Sequence, residues 1–339
     1  MMIIRPIRAN DYPALYQMAV ESGHGFTSLP VNEELLMRKI SRSEASFTKA
    51  TNTPGDEGYL FVLEDTSTGQ VCGTSALEAA VGLDDAFYHY HLGKVVHSSR
   101  SLGVYKTVDI LTLCNDYTGV SELCTLFLRP QFRQKHNGRL LSKMRFLFLA
   151  EFAARFSDKI IAELRGVSDA QGNSPFWQWL QEHFFSVDFP TADYLTGIGQ
   201  KEFIAELMPK YPIYVSLLSP VAQQVIGKVH EQTRPALALL ESEGFSCRGY
   251  VDIFDAGPTV EARTSHIRTI RESQRLQVEL GTVGAAAEPY LISNTSLTGF
   301  RASWAMLAPT ANSNHITLPT ALANALDLRA GDWVRISKI

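Results

Sequence analysis

The stretch "LCTLFLRPQFRQKHNGRLLSKMRFLFL", residues 123–149, decides the fold of this chain. It begins with a continuous apolar run, turns at a proline followed by basic residues, and continues after Asn137 and Gly138 as an amphipathic segment. A continuous apolar run predicts a central strand covered on both faces of a sheet, and the amphipathic segment predicts a helix. Exposed amides at a helix start and nearby basic side chains suit an anion. We therefore predict that the basic turn binds ligand phosphate.

Strands and helices alternate on both sides of this stretch. The segment "GYLFVLEDTSTGQVCGTSALEA" (58–79) predicts a hairpin, and "KIIAELRG" (159–166) predicts a second buried strand. From about residue 280 onward the pattern changes to short strands with one short helix. We therefore predict an α/β (α+β) protein, with a larger region at residues 1–270 and a small β-rich C-terminal domain at residues 280–339.

Composition excludes several classes of protein. The 339 residues carry a formal net charge of −4, which gives no global basic field for nucleic acid. No apolar run has the length of a membrane span, and the N-terminus lacks the features of a signal peptide. The cysteines are widely spaced, as is typical of a reducing compartment: Cys72, Cys114, Cys124 and Cys247. We therefore expect a cytoplasmic protein without nucleic-acid or membrane partners.

The strand, basic turn and helix resemble motif A of the GCN5-related N-acetyltransferase superfamily, whose loop Arg/Gln-x-x-Gly-x-Gly/Ala holds the pyrophosphate of coenzyme A. Residues 133–138 match that loop, with His136 where the motif usually has glycine. A side chain is unfavourable there if the backbone needs positive φ. The resemblance implies a mixed sheet flanked by helices, and phosphate binding around Arg133, Lys135, Gly138 and Arg139. The alternative for these basic residues is a solvated surface.

A second resemblance, to the arginine N-succinyltransferase family, covers nearly the whole chain. Its sequence words are TSLP (27–30), SELCTLFL (121–128), ELRGVSD (163–169), SPFWQ (174–178), FIAELMPKYPIY (203–214), IGKVH (226–230) and DIFDAGPT (252–259). The resemblance implies transfer of succinyl from succinyl-CoA to the α-amino group of L-arginine. Succinyl-CoA would then be a co-substrate, and we expect no permanently bound cofactor. The family also implies an oligomer, either of identical subunits or with a paralogous subunit.

The same resemblance implies two site residues. Leu126 would contact succinyl-CoA through its main chain, since the pantetheine arm can add to a strand edge, while its side chain packs in the core. His230 would be the active-site proton donor. It precedes a helix that Thr233 is predicted to cap, where the helix field favours a neutral imidazole. The alternative for His230 is a packing histidine.

Two residues of the central strand have both a chemical and a structural interpretation. Glu122 begins the strand, where relatives in the broader superfamily often keep a general base, and the alternative is a strand-end carboxylate in water. Cys124 is a conceivable acyl-accepting nucleophile, but no neighbour in sequence lowers its pKa, which favours core packing and direct transfer of the acyl group.

Other candidates remain open. His89 and His91 share a strand face, but nothing nearby completes a ligand set, so we expect no metal. Carboxylates suit a guanidinium group, and Asp252, Asp255 and Glu261 are candidates that the sequence does not rank. It also leaves open an ornithine-accepting enzyme and a non-catalytic regulatory subunit.

Overall fold

The computed structural model describes residues 1–23, 28–169, 171–200, 202–310 and 313–339, so Thr27 of the TSLP word lies outside the described residues. Strands of this part of the chain form one mixed sheet. They are β1 (Met2–Pro6), β2 (Gly58–Asp65), β3 (Gln70–Glu78), β4 (His89–Ser99), β5 (Val104–Cys114), β6 (Ser121–Leu128), β7 (Lys159–Glu163), β8 (Ile213–Tyr214), β9 (Ser246–Val251), β10 (Pro258–Arg263), β11 (Gln274–Leu280), β12 (Glu288–Asn294), β13 (Ala302–Leu307), β14 (His315–Leu318) and β15 (Trp333–Lys338).

The helices lie between these strands in the chain. They are α1 (Tyr12–Ser22), α2 (Glu33–Thr48), α3 (Asn137–Glu151), α4 (Pro175–Leu180), α5 (Phe189–Gly197), α6 (Glu202–Leu207), α7 (Pro220–Val225), α8 (Arg234–Glu243), α9 (Arg268–Glu272) and α10 (Thr320–Ala325). Local signals account for several of their ends. Ser174 Oγ accepts from the Trp177 amide at the start of α4, and Gly244 ends α8 with φ 103°.

Strand order places β6 near the centre of the sheet, as its apolar sequence predicts. The order is β14-β11-β15-β12-β13-β1-β2-β3-β6-β7-β10-β9-β4-β5-β8. β6 pairs antiparallel with β3 and parallel with β7, and β13 of the C-terminal region pairs with β1. The prediction of a mixed sheet flanked by helices, with a β-rich C-terminal region, is confirmed.

Helix α3 is more deeply buried than its sequence predicts. Residues 140–149 are all buried, whereas an amphipathic helix would expose one face. The reason is that several elements cover it, since α3 contacts β3 and β6, β12 and β13 of the C-terminal region, and also α9. Phe148 shows this enclosure, because its ring lies 5.1 Å from the Phe61 ring and 5.0 Å from the Phe300 ring.

A buried ion pair joins α3 to α8 and α9. Lys143 Nζ lies 3.1 Å from Glu243 Oε1, and both side chains are almost fully buried. The second carboxylate oxygen of Glu243 accepts from the Thr269 amide, and Arg268 contributes a further charge contact at 3.3 Å. Burial acts to raise the pKa of Glu243, but the Thr269 amide and Lys143 outweigh it, so the pKa is lowered. The ionised carboxylate therefore stabilises the packing of three helices.

Replacing Glu243 by Gln should destabilise the fold by about 3 kcal/mol, because Lys143 would keep a buried charge without its counter-ion. A carboxylate with a lowered folded-state pKa contributes its full stability above the unfolded pKa and loses it as the pH falls. The difference in unfolding free energy between the native chain and Glu243→Gln, measured with urea, should therefore shrink below about pH 4. Glu241→Gln, on the exposed side of the same helix, is the control and should change stability little. Equal effects of the two substitutions would contradict this account.

None of the described helices combines the length and apolar character that crossing a membrane requires.

Candidate active site

The site begins at an irregularity in β6. Thr74 of β3 pairs with Phe127 and Ala76 pairs with Cys124, so two residues of β6 lie opposite one residue of β3. Thr125, at this bulge, has φ 53°, which is strained for a β-branched residue. Such strain persists where the surrounding structure enforces it, and it is common at functional sites.

The parallel neighbours β6 and β7 separate next to this bulge. Both strands lie wholly within the described residues, and their registered pairs are Ser121–Ile160 and Glu122–Ile161. Beyond these pairs a cavity of about 260 Å³ opens. Its lining includes Leu123, Thr125, Leu126, Arg133, Ser142, Arg145, Leu164, Arg165, Gln232 and Asp255. A gap between parallel strands exposes backbone groups that an extended amide-bearing ligand can pair with.

A second cavity, of about 370 Å³, adjoins the first. Of the described residues, six line both: Ser28, Glu122, Cys124, Glu163, Asp252 and Phe254. The second cavity adds one more carboxylate, Glu78, together with Lys39 and Arg42. Arg42 lies 2.6 Å from Glu78, so part of this negative charge is already compensated. Two chambers that meet at Glu122 and Cys124 provide room for two substrates whose reacting atoms come together there.

The basic turn lies between β6 and the start of α3, as predicted. Its left-handed residue, however, is not at the position where the motif usually has glycine. Lys135, rather than His136, has positive φ (51°), while His136 has φ −103° and precedes the first residue of α3. The side chain at His136 therefore carries no left-handed strain, and its ring packs 4.8 Å from the Trp304 ring. Arg133 lines the first cavity and donates from Nε to the Leu128 carbonyl at 2.9 Å. Gly138 is exposed in the first turn of α3, where amides have no intrahelical acceptor.

His230 is not among the described residues that line either cavity, but Gln232 and Thr233, which follow it closely in the chain, line the first. Its amide donates to the carbonyl of Arg165, and its Nδ1 accepts from the Gln232 amide at 3.2 Å. The neutral ring therefore carries its proton on Nε2. Burial, followed by the charge of Arg165, lowers the pKa of His230. His230 rather than Thr233 supplies the side-chain cap ahead of α8, which corrects the predicted capping residue.

Cys124 lies between the two cavities rather than deep in the core. Its thiol is close to Thr125 Oγ1, at 3.5 Å, and to Glu78 Oε1, at 4.0 Å. Burial raises the pKa of Cys124 to about 12, and Glu122 and Glu78 act in the same direction. A thiol with that pKa is a poor nucleophile at neutral pH.

The three carboxylates considered for guanidinium binding occupy different environments. Asp252 lines both cavities, and burial, with the nearby Asp255 and Glu163, raises its pKa well above the ordinary value. Asp255 accepts from the amides of Gly166 and Gly257, so it holds the turn at the cavity wall. Glu261 accepts from Tyr117 and lies near Lys159, outside both linings, so the structure does not support it as a cavity residue.

The two histidines of β4 face different neighbours. His89 is fully buried, with Nε2 2.9 Å from Glu163 Oε1, whereas the His91 ring packs 4.7 Å from the Tyr250 ring. Among the described residues, no three His, Cys, Asp or Glu side chains are arranged to hold a metal ion.

The sequence did not single out several charged residues that line the cavities, and two of them, Arg145 and Glu163, are important for the proposals below. Arg145 appears in the quoted stretch as one basic residue of a helix, and Glu163 as the end of a strand. Both line the first cavity, and Arg145 is 2% exposed. A charge within an otherwise apolar run was the available signal, because such a residue is rarely buried without a partner or a function.

A mixed sheet whose parallel central strands separate at a bulge, with a basic loop and a helix start beyond them, has the architecture of an acyl-CoA N-acyltransferase of the GCN5-related type. Comparison with known proteins identifies the family. The model of the arginine N-succinyltransferase beta subunit matches residues 2–269, and that of its C-terminal domain matches residues 274–338. The chain therefore belongs to the arginine N-succinyltransferase family.

Individual relatives agree with this assignment. The arginine N-succinyltransferases of Salmonella schwarzengrund (strain CVM19633) and Salmonella enteritidis PT4 (strain P125109) are each 48% identical over 340 residues, which covers 100% of this chain and 98% of the relative. The solved structure of arginine/ornithine succinyltransferase subunit AI from Pseudomonas aeruginosa is 38% identical, with a TM-score of 0.91, and the match covers 100% of this chain and 98% of that chain.

Proposed function

We propose that this enzyme transfers the succinyl group of succinyl-CoA to the α-amino group of L-arginine by direct attack in a ternary complex. The observation that supports this most directly is the pair of adjoining cavities that meet at Glu122 and Cys124. The first cavity would hold the thioester arm beside Leu126, with the phosphates at the turn around Arg133 and Gly138. The second would hold the acceptor amino acid.

The reaction needs a neutral amine, because an ammonium group has no lone pair. Glu122, at the junction of the cavities, is the proposed base that removes the first proton and later releases it to solvent. The amine nitrogen then attacks the thioester carbon, the new C–N bond forms, and the C–S bond breaks. The remaining excess proton of the nitrogen ends on the CoA sulfur, so the products are succinylarginine and CoA with a free thiol. No enzyme nucleophile is required, which agrees with the raised pKa of Cys124.

His230 would act on the developing negative charge. Its Nδ1 is occupied by the Gln232 amide and its pKa is lowered, so the neutral ring offers a proton at Nε2. We propose that Nε2–H donates to the thioester oxygen or the departing sulfur in the transition state. A donor directed at developing charge stabilises the transition state more than the ground state.

The second cavity has the charge pattern of a site for a basic amino acid. Its carboxyl groups at Glu163 and Asp252 suit a cationic side chain, because a bound cation would offset the repulsion from neighbouring carboxylates that, after burial, raises the pKa of Asp252. Lys39 and Arg42 suit the α-carboxylate. A shorter basic amino acid such as ornithine meets the same requirements, and the related Pseudomonas protein is described as an arginine/ornithine enzyme. Ornithine is therefore the second candidate acceptor.

The test is release of free CoA thiol from succinyl-CoA by the purified protein with a panel of amines: L-arginine, L-ornithine, L-lysine and agmatine, which lacks the carboxylate. We expect L-arginine to give the highest kcat/KM and agmatine to give a strongly reduced one. Absence of turnover with every amine, in a protein that binds succinyl-CoA, would instead support the regulatory subunit. The cytoplasmic location and the oligomer stay predictions.

The phosphate-binding turn is tested by Gly138→Asp. A Cβ at Gly138 has open space, its nearest neighbour being Leu128 Cδ2 at 4.0 Å, and an acidic residue in the first turn stabilises a helix. The fold should therefore be unchanged or more stable, whereas repulsion of the phosphates should raise KM for succinyl-CoA about tenfold. Gly138→Ala is the matched control and should leave the KM for succinyl-CoA close to native. The KM for arginine should stay close to native in both variants. Unchanged affinity of Gly138→Asp for succinyl-CoA, measured by calorimetry, would rule out this turn.

A further inference from the structure

We infer that Arg145 forms a buried subsite for the terminal carboxylate of the acyl group, and so selects a dicarboxylic acyl thioester over a monocarboxylic one. This inference rests on the proposed function and adds a specificity residue to it. Arg145 lies two turns into α3, lines the first cavity and is 2% exposed.

The guanidinium of Arg145 is held in place by groups that do not neutralise it. Its Nε donates to the Ser142 carbonyl at 3.0 Å, one terminal nitrogen donates to Ser142 Oγ at 3.1 Å, and the other reaches the Cys124 carbonyl at 3.5 Å. A guanidinium has five N–H donors. Within the described ranges these three contacts leave two donors, one on each terminal nitrogen, and such a pair can bind a carboxylate through both oxygens.

Arg145 has no acidic counter-ion among the described residues, since none of their ion pairs includes it. Burial lowers the pKa of Arg145 to about 10, and only the thiol of Cys124 acts in the opposite direction. The guanidinium thus stays charged at neutral pH in a place where an uncompensated charge is costly. An anionic ligand group would remove that cost, whereas an apolar acyl end would leave it.

The position of Arg145 fits the acyl end of the substrate. It contacts the carbonyl of Cys124, next to the bulge at Thr125, where β6 leaves its register with β3. The thioester is expected at the separation of β6 and β7. The rest of the acyl group would then extend toward Ser142 and Arg145, the residues of α3 that line the same cavity. Burial lowers the pKa of Arg165, on the β7 side, and the nearby Asp255 and Asp193 act in the opposite direction. A ligand carboxylate is therefore less favoured there than at Arg145.

The test compares succinyl-CoA with butyryl-CoA, which has the same four acyl carbons and a methyl group in place of the carboxylate. In the native enzyme we expect kcat/KM to favour succinyl-CoA. Arg145→Met should reduce kcat/KM for succinyl-CoA about 10²-fold and leave that for butyryl-CoA unchanged or higher. Arg145→Lys, which keeps a charge without the bidentate geometry, should lie between the native enzyme and Arg145→Met.

Arg165→Met is the matched control, because it removes a partly buried arginine of the same cavity and should affect both thioesters by a similar factor. A selective loss of succinyl-CoA in Arg165→Met, or an equal loss of both thioesters in Arg145→Met and Arg145→Lys, would overturn the inference. Calorimetric binding of the two thioesters without any amine repeats the comparison independently of the acceptor. The proposal of a carboxylate subsite and the proposal of arginine as the acceptor can therefore be rejected independently of each other.

Discussion

Replacing His230 by Asn is expected to lower kcat about 10²–10⁴-fold while changing the KM of both substrates little. Asn retains an oxygen that can accept from the Gln232 amide, as Nδ1 of His230 does, and Asn is a favourable capping residue. The turn ahead of α8 should therefore survive, and the loss should come from the missing Nε2–H donor. Steady-state kinetics with succinyl-CoA and arginine, together with a melting curve, measures both effects.

The pH dependence follows from the direction of the pKa shift. The folded-state pKa of His230 is lowered, so the neutral ring predominates down to a pH below the ordinary value of 6.5. If protonation of His230 lowers kcat at acid pH, the midpoint of that decrease should lie below pH 6.5. The decrease should be absent in His230→Asn.

A matched control is available for this substitution. His183 is exposed and stacks on Trp179, and no residue from 181 to 185 lines either cavity, whereas Gln232 and Thr233 beside His230 line the first. His183→Asn should therefore keep native turnover. If folded His230→Asn retains kcat within about threefold, the loss is too small for a group acting on the reacting atoms, and His230 is a packing residue.

Replacing Glu122 by Gln should cost about 10²–10⁴-fold in kcat/KM near neutral pH, since the amide cannot accept the proton of the acceptor ammonium. The loss should diminish as the pH rises, because at high pH a growing fraction of the acceptor is already neutral. The ratio of native to variant kcat/KM, followed from pH 7 to pH 10, measures this. A ratio that stays constant would show that Glu122 does not remove this proton.

Glu163→Gln separates the base from its acidic neighbour. Glu163 lines the same two cavities but lies 2.9 Å from His89 Nε2, so its proposed role is to hold the acceptor. Loss of the Glu163 carboxylate should raise the KM of arginine by a factor that does not diminish as the pH rises. If the loss of kcat/KM diminishes with rising pH in Glu163→Gln rather than in Glu122→Gln, Glu163 is the base.

Much of the fold is predictable from the sequence because its signals are local. The hairpin of β2 and β3, the strand β6, the start of α4 at Ser174 and the end of α8 at Gly244 each depend on neighbouring residues alone. The family could also be recognised from the sequence, since its words occur in order along the chain, and the comparisons confirm it. The division into residues 1–270 and 280–339 stays a prediction, as do the roles of Leu126, Arg133, Gly138 and His230.

The tertiary structure decided which charged residues face the cavities. Glu122 and Glu163 come together because β6 and β7 pair in parallel across a long connection, and Asp252 joins them through the turn before β10. Neither pairing leaves a local signal in the chain. Glu261, equally acidic in sequence, pairs with Tyr117 and Lys159 elsewhere, so charge alone does not identify a site residue.

The sequence by itself therefore determined the hairpin of β2 and β3, the central strand β6 with the helix α3 after it, the strand β7 and the family. The tertiary structure decided that residues 140–149 of α3 are all buried, that Lys135 rather than His136 adopts the left-handed backbone, and that Arg145 keeps a buried charge with no acidic partner in the part of the chain that the structure describes. The physical reason is that desolvation and electrostatic pairing depend on neighbours brought together by strands far apart in the chain, whereas hydrophobic periodicity and capping depend on the nearest few residues.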